Sequence, residues 1–245
     1  MNPFNRPHKQ LSIFVTAGFP ELNSLPSQIK FLESNRVDFI EVGIPFSDPM
    51  ADGPVIQASS MKAISHGFTM ELLFQQLSKI DVEIPLVIMS YLNPILRFGI
   101  QHFLKECSRV GIAHVIIPDV SIEIYERDYE ALFQQSGMTL CFLVTPETTE
   151  ERVQRMAKRS SNGFIYLVST TMTTGNSSPL ENQSSYDKIK AYCGATPMMI
   201  GFGIRTNEDV LKAHHHADGA IIGTAYLEAL SKGEALSFLQ SIKLS

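Results

Sequence analysis

Glu41 is a carboxylate set inside an apolar run, Val37-Asp38-Phe39-Ile40-Glu41-Val42, whose β-branched and aromatic make-up is that of a strand. The run passes into Gly43-Ile44-Pro45-Phe46-Ser47-Asp48-Pro49-Met50-Ala51-Asp52-Gly53-Pro54, a loop stiffened by prolines. No Lys or Arg lies between Arg36 and Lys62. Without a local counter-charge, desolvation favours the protonated carboxyl. Such a group suits general acid–base work near neutral pH. A buried glutamate paired with a distant arginine, or a turn-capping acid, is the alternative that the position leaves open.

A second chemical signal comes late in the chain. Gly201-Phe202-Gly203 and Gly223-Thr224 each follow an apolar run. Glycines there let backbone N–H groups approach phosphate oxygens, and a following helix N-terminus adds a favourable dipole. Arg205 stands close enough in sequence to assist, or to face solvent. None of the eleven lysines ends an apolar run, so the desolvated amine of a Schiff-base aldolase is missing. His214-His215-His216 falls late in a helical stretch, where consecutive residues point in different directions, and reads as a solvated or partner-facing patch, not a ligand set. Cys107, Cys141 and Cys193 are widely spaced and odd in number, which fits neither a disulfide framework nor a Cys-x-x-Cys metal motif. What remains is metal-free acid–base chemistry on a phosphorylated small molecule.

Those residues need a scaffold, and the chain has a rhythm that supplies one. Eight short apolar runs recur: Ile13–Thr16, Phe39–Val42, Leu86–Tyr91, His114–Ile117, Leu140–Val144, Phe164–Val168, Met198–Gly201 and Ala220–Gly223. Near-continuous apolarity marks strands covered on both faces, as in parallel sheets under helices. Helical stretches are expected at Leu25–Ser34, Val55–His66, Met70–Lys79, Ile100–Val110, Ile122–Gln135, Thr149–Ser160, Ser184–Tyr192, Asn207–His215 and Ala225–Lys243. Eight βα units in 245 residues match a single α/β domain, 1–245, folded as a (β/α)8 TIM barrel. A doubly wound sheet is the alternative, weakened by the lack of Gly-x-Gly-x-x-Gly after the first run. Barrel chemistry belongs at strand C-termini. Those ends carry Thr16 and Gly18, Glu41, Tyr91 and Asn93, Asp119, Ser169 to Gly175, Gly201 to Gly203, and Gly223-Thr224. A net charge of −5 argues against nucleic acid and anionic membrane as partners. The polar N-terminus and the lack of any roughly 20-residue apolar window imply a soluble, cytoplasmic protein.

With Glu41 through Pro54, Gly201-Phe202-Gly203-Ile204 and Ala220-Ile221-Ile222-Gly223-Thr224 in hand, the chain resembles the tryptophan synthase α-subunit family from Phe14 to its C-terminus. The resemblance implies a (β/α)8 barrel that cleaves indole-3-glycerol phosphate to indole and glyceraldehyde 3-phosphate. It also implies an αββα complex with a β subunit that carries pyridoxal phosphate, with no cofactor in this chain. By the same resemblance Glu41 is the general acid–base group, and Asp52 accepts the indole N–H. Read alone, Asp52 is a turn former before Gly53. Phe14, Tyr91, Ile116, Leu143, Tyr166 and Phe202 match positions lining the indole pocket, and Gly175, Gly203, Gly223 and Thr224 match the phosphate-binding positions, with Thr in place of the usual Ser.

Three departures stand out. The segment Ser169-Thr170-Thr171-Met172-Thr173-Thr174-Gly175 has Met172 where the family usually has Gly, adding bulk to a loop that closes over substrate. Asp119-Val120-Ser121 has Ser where the family usually has Pro, which implies a looser loop. The short segment before Phe14 implies an abbreviated N-terminal helix. The Met172 departure keeps open a silent α subunit that only docks on and activates its β subunit. A general phosphate-binding barrel such as an isomerase would leave the Glu41–Pro54 motif unexplained.

Overall fold

The computed structural model describes residues 2–168, 183–201 and 203–242. The chain divides into two compact units, Val15–Leu140 on one side and Met1–Phe14 with Cys141–Ser245 on the other.

In the unit Val15–Leu140, the strands β2 (Phe39–Gly43), β3 (Leu86–Met89), β4 (His114–Ile116) and β5 (Thr139–Leu140) pair in sequence order, every ladder parallel. The strand interiors are buried, as two-faced coverage requires. Around them run α1 (Leu25–Ser34), α2 (Pro54–Ser65), α3 (Met70–Leu77), α4 (Leu92–Phe98), α5 (Ile100–Arg109), α6 (Ile122–Ile124) and α7 (Glu130–Gln135). Phe74 of α3 packs on Phe98 of α4 and Phe103 of α5, with ring centroids 5.8 and 6.0 Å apart.

Helix α4 is an addition to what the pattern predicts. Its Pro94 sits in the first turn, where a missing N–H costs nothing, so proline there does not break the helix. A single helix over Ile122–Gln135 is replaced by α6, a π-helical turn at Tyr125–Tyr129, and α7. The Ser121 side chain accepts the Ile124 N–H at 3.3 Å and caps α6, a hydrogen bond that proline could not make.

In the other unit, β6 (Leu143–Val144), β7 (Ile165–Val168), β8 (Met198–Gly201) and β9 (Gly219–Ile222) also pair in order and in parallel. β1, whose range is Gln10–Thr16, pairs with β9 through Gln10–Ile13. First and last strands thus lie side by side, a pairing that the doubly wound strand orders lack. The fifth apolar run is interrupted at Cys141-Phe142 and so yields both β5 and β6. Helices α8 (Glu150–Arg159), α9 (Gln183–Tyr192), α10 (Asn207–His216), α11 (Thr224–Ser231) and α12 (Ala235–Ile242) complete this unit. The expected helix over Ala225–Lys243 is two helices, because Gly233 takes φ +74° between them.

Residues 2–9 hold no helix, and Phe4 is fully buried with its ring edge-on to Phe164 at 4.9 Å. Asn2 Nδ2 donates to Gly163 O at 2.8 Å, so this short segment is still tied down. Among the described residues, no helix is long and apolar enough to cross a membrane.

Candidate active site

Glu41 occupies the third position of β2, in register with Val87 of β3, and is only 3% exposed. Alternation along the strand sends its side chain to the face opposite Ile40 and Val42. The strand end is fixed on both edges: Gly43 O accepts the Ala17 N–H at 2.9 Å, and the Ile44 N–H donates to Met89 O at 2.8 Å. The Glu41 backbone therefore has little freedom to carry the carboxyl toward water. One carboxyl oxygen, Oε2, is buried with no hydrogen-bond partner among the described residues. Burial, reinforced by the nearby Asp52 carboxylate, raises the Glu41 pKa from its ordinary 4.5 to about 8.

Asp52 reaches the same site from the loop that follows β2. The side chain is buried, 7% exposed, which a turn former at a loop tip would not be. Two backbone hydrogen bonds and the start of a helix set its place. Its N–H donates to Pro49 O at 3.2 Å, its carbonyl accepts from Gln57 Nε2 at 2.8 Å, and the next residue, Gly53, opens α2 with Pro54 in the first turn. Burial raises the Asp52 pKa from 3.8 to about 6, and a hydrogen bond from the Tyr91 hydroxyl works against the rise. At pH 7 the two carboxyls thus differ: Glu41 keeps its proton and Asp52 has lost its own. Environments that push two carboxyls apart assign one as acid and the other as the charged partner.

Tyr91 links the two segments. It follows β3, N-caps α4 by position and is 2% exposed. Its ring packs against Phe46 of the loop, centroids 5.3 Å apart. The phenolic oxygen accepts the Ala51 N–H at 2.9 Å while its own hydrogen serves Asp52. Burial and the Asp52 charge push the Tyr91 pKa up, so it remains a donor. Sequence reasoning placed Tyr91 against the substrate and overlooked this hold on the loop, and it did not single out Phe46. Ile116, 1% exposed, ends β4 within this unit. At the end of β1, Thr16 Oγ1 lies 2.7 Å from Ser59 Oγ of α2, a buried hydroxyl pair beside the same strand ends.

The other unit carries the remaining positions. Phe14 on β1 and Tyr166 on β7 are buried, and Leu143 on β6 is partly buried. Tyr166 lies directly over Gly201 of β8: a Cβ built on that glycine would fall 2.1 Å from the Tyr166 hydroxyl. Gly201 is therefore a spacing residue, and its role is room, not turn geometry. Gly203 takes φ +75°, the left-handed region. Gly223 precedes α11 and Thr224 is its first residue, so the backbone N–H groups there have no side-chain cap. Arg205 is exposed and pairs with Glu228 of α11. Phe202, Gly175 and Met172 with its loop Ser169–Gly175 lie outside the described residues.

The histidine run is solvated only at His215, which is exposed. His214 and His216 are buried, His214 Nε2 lying 2.9 Å from Gln10 O and His216 Nδ1 2.7 Å from Asp187 Oδ1. Their place at the buried end of α10 gives them structural partners. Among the described residues no group of three or more His, Cys, Asp or Glu is arranged to hold a metal ion. The three cysteines are buried thiols, and burial raises the pKa of Cys193 to about 12.

Against known proteins, the family model for the tryptophan synthase alpha chain matches residues 4–242. The tryptophan synthase alpha chain of Flavobacterium johnsoniae is 43% identical over 242 residues, covering 96% of this chain and 95% of that one. That of Flavobacterium psychrophilum is 46% identical over 228 residues, covering 91% and 90%. Among solved structures, the tryptophan synthase alpha subunit of Legionella pneumophila superposes with a TM-score of 0.85 at 30% identity, covering 99% of this chain and 94% of that one. The alpha subunit from Campylobacter jejuni gives 0.84 at 29%, covering 97% and 96%. The α/β fold is that of these (β/α)8 TIM-barrel chains. By sequence and by fold, this chain belongs to the tryptophan synthase alpha-chain family.

Proposed function

We propose that this chain is a lyase that cleaves indole-3-glycerol phosphate to indole and glyceraldehyde 3-phosphate, with Glu41 and Asp52 as its catalytic residues. The observation that carries the reading is a pair of buried carboxyls at one site, Glu41 on β2 with Oε2 unpartnered and Asp52 on the loop that Tyr91 holds, and burial raises the pKa of both, Glu41 the further. Neutral Glu41 delivers its proton to indole C3, which turns the ring into a cationic iminium. Ionised Asp52 accepts the N1–H and stabilises that charge as it develops. Glu41, now a carboxylate, removes the proton of the hydroxyl on the adjacent side-chain carbon. The C–C bond electrons return to the ring, indole leaves, and the former hydroxyl carbon becomes the aldehyde. Protons balance, since Glu41 ends protonated as it began, and this economy is what a single buried acid of near-neutral pKa supports.

Phe14, Tyr91, Ile116, Leu143, Tyr166 and Phe202 are assigned to the indole ring, and Gly175, Gly203, Gly223 and Thr224 to the phosphate. The left-handed Gly203 and the uncapped first turn of α11 support the phosphate assignment. Alpha chains of this family carry no cofactor, the pyridoxal phosphate belonging to the β chain, and membership implies a β-subunit partner. An αββα stoichiometry, a cytoplasmic location and a single barrel domain over 1–245 are part of the proposal. Met50, at the tip of the Ile44–Pro54 loop, is 85% exposed, which supports placing the β subunit against that loop.

The test is indole release from indole-3-glycerol phosphate by the purified chain, alone and with a β subunit plus serine. The chain has no Trp, so indole fluorescence is read without intrinsic tryptophan background. Indole release by the chain alone, or tryptophan and glyceraldehyde 3-phosphate formed from indole-3-glycerol phosphate with the β subunit and serine, supports the lyase. None of these products in either setting, with faster β-subunit conversion of added indole, overturns it in favour of a silent activating subunit.

A further inference from the structure

Asp119 is exposed and follows β4, yet its carboxylate is engaged: Oδ1 accepts the backbone N–H of Leu92 at 2.9 Å. Leu92 is the first residue of α4, and its neighbour Tyr91 is the residue that grips the Pro-rich loop. The turn that presents Asp119 is anchored on either side by buried Ile117 and Val120, with the Val120 N–H on Ile117 O at 3.3 Å. Beyond that turn, Ser121 caps α6. The side chain is thus aimed by packed neighbours, and among the described residues no Lys or Arg forms an ion pair with it. One continuous chain of contacts runs from Asp119 to the Leu92 N–H, to Tyr91, and to Ala51 and Asp52.

We infer that Asp119 is a positioning residue for the acid–base pair: by holding the first N–H of α4 it sets the Tyr91 phenol, and through Tyr91 it sets the Asp52 carboxylate. This rests on the reading of Asp52 as the group that accepts the indole N–H. The charges facing the Tyr91 hydroxyl are Asp52, from the loop after β2, and Asp119, from the turn after β4, with Glu41 on β2 facing Asp52. Both aspartates oppose ionisation of Tyr91, so it stays a phenol whose hydrogen bonds to Asp52. Freed from Asp119, the first turn of α4 can shift, the hydrogen bond to Asp52 weakens, and Asp52 becomes harder to ionise. A distant positioning contact acts on turnover more than on binding.

The experiment compares Asp119→Ala, Asp119→Asn, Tyr91→Phe and the double variant Asp119→Ala/Tyr91→Phe with the wild type on indole-3-glycerol phosphate, recording kcat, KM and the pH profile. The expected result for Asp119→Ala is a kcat lower by about tenfold or more, with KM nearly unchanged. The acid limb should move up by roughly half a pH unit. Asp119→Asn keeps the acceptor oxygen and should recover most of the loss. In the Tyr91→Phe background, Asp119→Ala should cost nothing further, since both act through one hydroxyl. Should the alanine variant fail to fold, Asp119→Ser, whose shorter side chain cannot reach Leu92, replaces it. The inference is overturned by an unmoved acid limb, by losses that add in the double variant, or by an Asn variant as impaired as Ala. A wild type inactive in every setting would instead sink the lyase reading, so the two failures are distinguishable.

Discussion

Glu41 should make this protein less stable as the pH rises, and replacing it with glutamine should remove that dependence. In the unfolded chain the carboxyl ionises near 4.5, whereas in the fold it holds its proton to about 8. A pKa raised on folding contributes stability that is intact below 4.5 and is lost progressively as the pH climbs to about 8. Between 4.5 and pH 7 the unfolded state gains about 1.4 kcal/mol per pH unit, so the wild type forfeits roughly 3 kcal/mol by pH 7. Glu41→Gln has nearly the same shape and never ionises. It leaves an amide where Oε2 already lacks a partner, a cost of about 1 kcal/mol relative to the neutral acid. The net expectation at pH 7 is a variant more stable by about 2 kcal/mol, with no advantage near pH 4.5. Urea unfolding followed by far-UV circular dichroism at several pH values between 4.5 and 8.5 measures this. Parallel stability curves for the two proteins across that range would refute the buried, protonated Glu41.

The activity profile should be a bell, falling below about 6 as Asp52 gains a proton and above about 8 as Glu41 loses one; a flat alkaline side to pH 9 would contradict the assignment. Tyr91→Phe keeps the ring on Phe46 but strips the hydroxyl from Ala51 and Asp52, so the acid limb should rise and stability fall by about 1–2 kcal/mol. An unchanged acid limb and urea midpoint would mean that the phenol does not hold the loop. Gly201→Ala forces its new methyl into Tyr166 and should cost about 1–3 kcal/mol in urea unfolding, part of it recovered by adding Tyr166→Leu. A neutral Gly201→Ala would show the ring free to move aside.

Much of the fold was legible because the strand signal is local. The apolar runs at Phe39–Val42, Met198–Gly201 and Ala220–Gly223 became β2, β8 and β9 with boundaries within a residue or two. Glu41 could be singled out for the same reason, since its apolar flanks and missing counter-charge are neighbours in sequence. Asp52 could not be read this way. Its burial depends on Tyr91, whose hydroxyl meets the adjacent Ala51 across 40 residues of chain, and no spacing announces that contact. The histidines misled because helical spacing reports direction but not the partner waiting there, in this case Gln10 O and Asp187. α4 was hidden by Pro94, whose harmless first-turn position is visible only once the helix start is known.

The central claim is that one buried glutamate both gives the proton to indole C3 and takes it from the hydroxyl. The most direct test is the rate of indole and glyceraldehyde 3-phosphate formation by wild type and by Glu41→Gln, with unfolding curves run alongside to confirm that the variant is folded. The account predicts equal amounts of the two products from the wild type, and a folded variant whose cleavage is slower by on the order of a thousandfold or more. A folded Glu41→Gln that still cleaves at near wild-type rate would contradict it.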